Sequence, residues 1–159
     1  MRLALALVVA TIAVALSSAE AVVAVTSTRS PAHPGAFAAN VFRLIVANRY
    51  AEAWQRLHPV HQTIVPVERY VECENLTPVR ARVVTVRTVR VKAARIAVPG
   101  VSTRLGGVRV TLRASLVSNS VPTHFVMIKT IDLVQAADHW AWFLPPPRYA
   151  AYASGDCPQ

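Results

Sequence analysis

The sequence has few of the residues that mark common catalytic and metal-binding motifs. It contains two cysteines, which are too few for a zinc site built on cysteine and too far apart for a redox CxxC motif. No glycine-rich loop lies between a predicted strand and a predicted helix, as a phosphate-binding loop requires. The sequence has no nucleophile-elbow motif that would place a catalytic serine with a histidine and an aspartate. The sequence therefore predicts neither a phosphate-binding loop nor a serine hydrolase.

Acidic residues are also scarce. The chain has 17 Lys and Arg residues against 8 Asp and Glu residues, and its formal net charge is +9. Such a charge favours anionic partners, for example acidic envelope polymers, lipid headgroups or nucleic acid. One stretch holds nine basic residues and no acidic one, namely Arg80, Arg82, Arg87, Arg90, Lys92, Arg95, Arg104, Arg109 and Arg113. If their strands are neighbours, the outward side chains form a basic sheet face; the alternative is that they only cover a solvated surface.

The length of 159 residues fits one domain, because compact domains usually have about 100 to 150 residues. A hydrophobic fraction of 53% indicates a folded chain with a buried core. We assign this domain to residues 35–159.

The first 21 residues have the three parts of a secretory signal peptide. Arg2 gives a charged start, Leu3 to Leu16 is an apolar run, and Ala19-Glu20-Ala21 is a small-x-small cleavage site. We expect cleavage here, followed by an exposed linker over 22–34. The alternative is an uncleaved anchor, because apolar residues resume after the site and the whole stretch approaches the roughly 20 residues that span a bilayer.

Export would decide which anionic partners are available. Cleavage removes one base and one acid, Arg2 and Glu20, so the net charge stays at +9. Outside the cytoplasm, nucleic acid is the weakest of the anionic partners, and we predict none. We predict contact with an acidic envelope component or a partner protein, and with the membrane only if the N-terminal segment is uncleaved.

Cys73 and Cys157 are an isolated pair, and in an exported protein such a pair most simply forms a disulfide. Two free thiols or an intermolecular bond are the alternatives. In the chain-entropy model, closing so long a loop stabilises the fold by roughly 4 to 5 kcal/mol.

The first part of the domain has helical periodicity. A first helix is predicted over 35–48, where apolar residues recur near 3.6-residue spacing. Arg49 to Cys73 then predicts two short helices, because His58-Pro59 stops one and Pro66 suits the first turn of the next.

From Val79 onward the apolar residues recur with a period of two, which indicates strands. The phase slips near Val83-Val84 and near Arg87-Thr88, so we predict a bulge at each place, with Val84 and Val89 turned inward. Further strands are predicted at 108–116, 125–134 and 139–144. Helices followed by antiparallel strands predict an α+β fold, with N-terminal helices packed on a strongly curved antiparallel sheet.

A set of residues spread over 50–158 also forms a recognisable pattern: Tyr50, Trp54, Leu57-His58-Pro59, Gln62, Val65-Pro66, Tyr70, Cys73, Trp140, Trp142, Gly155, Cys157 and Pro158. This pattern resembles small exported bacterial proteins of the nuclear transport factor 2-like superfamily. The resemblance covers roughly residues 37–158 and implies a cone-shaped, cystatin-like layout that encloses a cavity. Some members of that superfamily are isomerases, dehydratases or polyketide cyclases, and others only bind or scaffold.

Four aromatic residues are candidates for the wall of such a cavity, namely Trp54, Tyr70, Trp140 and Trp142. The alternative is that these side chains only fill the core where helices meet the sheet.

A cavity with isomerase chemistry, as in the ketosteroid isomerase type, needs a carboxylate base and a tyrosine hydroxyl to stabilise the enolate. Asp132 is the available strand carboxylate, and Tyr50 or Tyr70 is the available donor. Alternation alone does not decide which face Asp132 lies on, and we assign no catalytic residue.

His58 and His61 are three residues apart, as two metal ligands on one helix would be. Pro59 interrupts that helix and no third ligand accompanies the pair. We therefore predict no metal site and no cofactor, and we expect His58 to cap or pack at a helix end.

These observations predict a secreted or envelope-associated domain that binds or scaffolds through its cavity or its basic face without catalysis. The alternative is a small-molecule isomerase or lyase that uses the cavity. The two hypotheses differ in one feature, because the enzyme needs Asp132 to point inward within hydrogen-bond reach of Tyr50 or Tyr70.

Overall fold

The computed structural model describes residues 33–121 and 123–159. The predicted signal peptide, 1–21, and most of the predicted linker, 22–34, lie outside these residues. The elements follow in the order α1 (Pro34–Val46), α2 (Tyr50–Trp54), α3 (Pro59–Ile64), α4 (Val67–Leu76), β1 (Ala81–Ile96), β2 (Leu105–Ser118), β3 (His124–Ala136), β4 (His139–Trp142) and α5 (Pro146–Ala153). The four strands form one antiparallel sheet in the order β1-β2-β3-β4, which confirms the α+β class.

Helix α1 begins one residue before the predicted domain boundary. His33 caps it, since the Nδ1 atom accepts a hydrogen bond from the Gly35 N–H at 3.2 Å. Pro34 occupies the first turn, where its missing N–H has no partner to lose. A Cβ at position 35 would lie 2.7 Å from Thr88 Oγ1, so glycine is what lets this helix approach β1 closely.

The stretch from Arg49 to Cys73 forms three helices, where two were predicted. The link between the predicted helices is itself helical, because Pro59 starts α3 as readily as it ends the preceding segment. His58 caps α3 by accepting a hydrogen bond from the Val60 N–H at 3.3 Å.

Asn48 connects the helices to the start of the sheet. Its φ of 56° is left-handed, a conformation that asparagine adopts more readily than most residues. Its Oδ1 accepts from the Val79 N–H at 2.9 Å, and its Nδ2 donates to the Val79 carbonyl at 3.1 Å. The same Oδ1 accepts from the Tyr50 hydroxyl at 2.6 Å. One side-chain amide therefore pairs with the backbone just before β1 begins.

The sheet has an inner face, which packs on the helices, and an outer face. The inner face of β2 carries Val110, Leu112, Ala114 and Leu116, all buried, as the alternation predicted. The register of β1 against β2 shifts between Val83 and Thr85 and again between Thr88 and Arg90. Both predicted bulges are therefore present, the second one residue later than predicted.

The prediction that Val84 and Val89 turn inward is wrong. They are the bulge residues, and they are 46% and 59% exposed. Thr88, which contacts Gly35 of α1, takes the inner position opposite Leu112. Each bulge absorbs one residue so that the inner phase of β1 continues across it.

The disulfide between Cys73 and Cys157 is present, with a Cα–Cα distance of 5.1 Å across 84 residues. It joins α4 to the chain after α5. The backbone also joins β4 to the link between α2 and α3: the backbone N–H of Trp142 donates to the Arg56 carbonyl at 3.1 Å, and the backbone N–H of His58 donates to the Trp142 carbonyl at 2.7 Å. We call α2, α3, α4, β4 and α5 together the base.

None of the helices in the described ranges is long and apolar enough to span a bilayer.

Candidate functional site

A groove of about 870 Å³ opens between α1, the inner face of the sheet and the segment after β4. Its apolar walls include Phe42, Ile45, Phe125, Met127, Ile131 and Trp142. Its charged lining residues are Arg109, Lys129, Asp132 and Arg148, so cations outnumber the one acid. Mostly apolar walls with a few polar groups are what small-molecule sites usually present.

Lys129 is the unusual member of this lining. It pairs in register with Leu112, between Met127 and Ile131 on the same strand, so it lies on the inner face. A lysine on an apolar face keeps its ammonium in water by extending along the surface. Lys129 is exposed and takes part in no ion pair among residues 33–121 and 123–159. Its charge is therefore available at the rim of the groove.

Of the four aromatic candidates, Trp142 lies in the groove wall, where its indole N–H donates to the Ala53 carbonyl at 2.8 Å. Trp54 lies in the base and donates to the Val65 carbonyl at 2.8 Å. Tyr70 packs edge-on against Tyr50, with ring centroids 6.5 Å apart, and burial raises the pKa of the Tyr70 hydroxyl far above its usual value.

Trp140, the fourth candidate, is half-buried on β4. Its indole N–H is buried and has no hydrogen-bond partner among the described residues. Trp54, Tyr70 and Trp140 do not line the groove.

Asp132 lies on the outer phase of β3, between the inner residues Ile131 and Leu133. Its two carboxylate oxygens accept hydrogen bonds from Arg109, its partner in register, at 2.7 and 2.8 Å. The Tyr50 hydroxyl donates to Asn48 instead. In the described part of the chain, neither Tyr50 nor Tyr70 is hydrogen-bonded to Asp132.

His61 is fully buried, and both of its ring nitrogens have partners. Nδ1 accepts from the Leu144 N–H at 3.1 Å, and Nε2 lies 3.0 Å from the Pro99 carbonyl, to which it donates as a neutral imidazole. Burial lowers the pKa of His61, and it also lowers the pKa of His58, whose ring centroid is 6.3 Å away. Within the described ranges, no three His, Cys, Asp or Glu side chains form a metal-binding group.

A buried ion pair in the base was not predicted. Glu74 is 5% exposed, and its carboxylate accepts a hydrogen bond from the Tyr152 hydroxyl at 2.8 Å. Arg148 Nη1 lies 2.8 and 2.9 Å from the two oxygens of the same carboxylate. Burial, followed by the bond to Glu74, raises the pKa of Tyr152. These contacts join α4 to α5, next to Cys73 of the disulfide.

The outer face carries six of the nine basic residues that the sequence analysis grouped, whereas Arg80 and Arg104 lie outside the strands and Arg95 lies in the opposite phase of β1. Arg87 lies directly opposite Arg113, and Lys92 lies opposite Arg109. Arg82 and Arg90 share this face by the same register. A depression of about 480 Å³ runs between Arg87, Arg113 and Val126. Like charges directly across two strands are unfavourable for stability, so this arrangement suits an anionic partner.

A comparison with protein-family models gives no match for this chain, and a comparison with curated proteins gives none either. Membership of the nuclear transport factor 2-like superfamily therefore stays a prediction from the residue pattern.

Proposed function

We propose that this chain is an exported, non-catalytic binding domain whose groove takes an apolar molecule with a negatively charged group. The observation that carries the proposal is the composition of the groove. Apolar side chains from α1 and the inner face form its walls, and Lys129 supplies positive charge. Arg148 also lines the groove, but its charge is paired with Glu74. Arg109 holds Asp132, the one carboxylate among the described lining residues, so the net charge of the groove is positive.

The isomerase or lyase alternative needs a base and a tyrosine donor in one cavity. Asp132 is bonded to Arg109, and His61 uses both ring nitrogens inside the base. These contacts favour binding over proton transfer in the groove.

Secretion or attachment to the cell envelope is part of the same proposal. The signal-like N-terminal sequence supports it, and so does the disulfide, because disulfides form and persist in oxidising compartments. We also propose the cone-shaped, nuclear transport factor 2-like fold, supported by helices on one face of a bulged antiparallel sheet and by the groove between them. The basic outer face supports contact with an acidic envelope component or partner protein.

The groove can be tested with 8-anilinonaphthalene-1-sulfonate, a fluorescent apolar anion. We expect it to bind with enhanced fluorescence and to bind more tightly than its neutral analogue N-phenyl-1-naphthylamine. Ile45→Glu places a carboxylate in the groove wall and should weaken binding of the anion by about tenfold or more.

Asn40→Glu is the matched control, because it adds the same charge to an exposed position of α1 outside the groove. Equal binding of the anion by both variants would refute the groove as the site. Equal affinity for the anionic and the neutral probe would refute the preference for negative charge.

A further inference from the structure

The third strand has an edge that no other described strand covers. β4 pairs only with Leu133 to Ala136, while β2 pairs with β3 along His124 to Val134. Among the strands of residues 33–121 and 123–159, the segment 124–130 therefore has a neighbour on one side only, and we call this segment the free edge. In an antiparallel pair, alternate residues turn their N–H and C=O groups away from the partner, so the free edge presents unpaired donors and acceptors.

The opposite edge of the sheet, β1, has features that hinder pairing with another strand. It contains two bulges, and its exposed residues include Arg82, Arg87, Arg90 and Lys92. Bulges, arginine and lysine are the usual means by which proteins protect an edge strand. The free edge has no register shift against β2, and Val126 and Ile128 on it are 56% and 60% exposed. A long, regular, apolar edge is the arrangement expected where a further strand binds.

The charges around the free edge favour one kind of occupant. Lys129 is exposed on the edge itself, and Arg113 lies next to Ile128 in register, with Arg87 beyond it. Asp132 is the acid nearest to this segment along β3, and Arg109 already holds it. A second copy of this chain, with a net charge of +9, would bring like charges together, whereas an acidic segment would neutralise them.

We propose that the free edge of β3 binds an extended segment of a partner protein, which adds to the sheet as a further strand. Its alternate side chains would be acidic, beside Lys129 on the inner face, and apolar, beside Val126 and Ile128 on the outer face. Backbone hydrogen bonds would supply affinity, and the alternating pattern would supply specificity. This inference rests mainly on the backbone of β3 and shares only Lys129 with the proposed groove site.

The test uses a synthetic peptide that alternates Glu and Val over nine residues. We expect binding by calorimetry and slower hydrogen exchange at the backbone amides of His124 to Thr130. Two analogues are N-methylated at alternate residues, one at the odd positions and the other at the even positions. Both keep the charges and side chains but lose about half of their backbone N–H donors. In an antiparallel pair only one phase of donors faces the protein, so one analogue should bind at least about tenfold more weakly than the other.

Lys129→Glu should weaken binding of the peptide about tenfold at low ionic strength. Arg43→Glu, on an exposed position of α1, is the control for the same change in charge. Equal affinity of both N-methylated analogues, or protection that appears on β1 instead, would overturn the proposal. So would self-association that protects the free edge without peptide, because the occupant would then be a second copy.

Discussion

The base and the far half of the sheet are built in different ways. We call this half, which comprises residues 81–90, 111–118 and 124–130, the distal sheet. In the base, a disulfide and the buried Glu74–Arg148 pair join segments that are 74 to 84 residues apart in sequence. In the distal sheet, Arg87 faces Arg113 with no acid between them, and Ile128 is exposed.

This difference indicates where function lies. The hydrogen-bonded Glu74, Arg148 and Tyr152 side chains and a covalent link stabilise the base. Opposed like charges and an exposed apolar edge lower stability or solubility, and sites that break such rules are expected to be functional. The comparison therefore predicts that substitutions in the base reduce stability, whereas those at exposed positions of the distal sheet mainly affect binding.

The largest expected effect is loss of the disulfide. Replacing both Cys73 and Cys157 with alanine should lower the free energy of unfolding by about 4 kcal/mol, because the unfolded chain loses the constraint of a long loop. Denaturant unfolding of the oxidised protein and of this variant measures the difference. A reductant should destabilise the wild-type protein and leave the variant unchanged. A loss under about 1 kcal/mol would mean that the base does not depend on this link.

The second effect concerns the buried ion pair. Glu74→Ala should cost about 3 kcal/mol, because it leaves the Tyr152 hydroxyl and the Arg148 guanidinium without their acceptor. Glu74→Gln keeps an acceptor for Tyr152 and should cost less. Urea unfolding measures the loss of stability in both variants, as a shift of the midpoint while the dependence of the unfolding free energy on urea concentration stays the same. Additive costs of Glu74→Ala and Tyr152→Phe would contradict the coupling that the structure shows.

The third effect depends on pH. Because burial lowers the pKa of His61 in the folded state, the unfolded state binds more protons once the pH falls below the unfolded value of 6.5. The stability that neutral His61 provides is full above that pH and is lost as the pH falls through the folded pKa. The loss should reach about 1.4 kcal/mol per pH unit at most.

Urea unfolding from pH 7.5 to pH 4.5 measures this dependence. The His61→Gln variant should be less stable at neutral pH, but its free energy of unfolding should fall less steeply as the pH decreases below 6.5. His58, whose pKa burial also lowers, contributes a second part of the slope, which His58→Asn isolates while keeping a residue suited to capping α3. An unchanged slope in both variants would show that neither histidine links folding to pH.

The smallest effect should lie in the distal sheet. Ile128→Thr should change the free energy of unfolding by no more than about 0.5 kcal/mol, because the side chain is already exposed. Val110→Thr, at a fully buried position of β2, is the matched control and should cost about 2 kcal/mol, because it buries a hydroxyl. Similar costs for the two variants would remove the distinction between the edge and the core.

The features that could be predicted from the sequence are those that follow from a local residue pattern or that have few alternatives. Alternation from Val108 to Leu116 was enough to predict β2, and an isolated cysteine pair was enough to predict the disulfide. The positions of the bulges also followed from the slips in phase along β1. The changes of phase did not show which residue of the second bulge is turned outward, because that depends on the close approach of Gly35, on α1, to Thr88.

The polar contacts of the base could not be predicted in this way. Glu74 belongs to a helix with other acidic residues, and its partners Arg148 and Tyr152 are 74 and 78 residues away. The proximity of His58 and His61 in sequence suggested a shared role, but His61 bonds to Pro99 and Leu144 instead. The orientation of Asp132 was open until the register placed Arg109 opposite it.

Asn48 has a consequence for how the chain selects its alignment during folding. Its single amide bonds to both backbone groups of Val79, and a shift that placed Pro78 at this position would lose one of the two bonds, because proline has no backbone N–H. Such a shift would also turn the apolar residues of β1 to the wrong face. A strand with two bulges has several competing alignments, and Asn48 penalises the incorrect ones from outside the sheet. Asn48 therefore favours the native register of β1 by a contact that does not depend on the hydrophobic pattern.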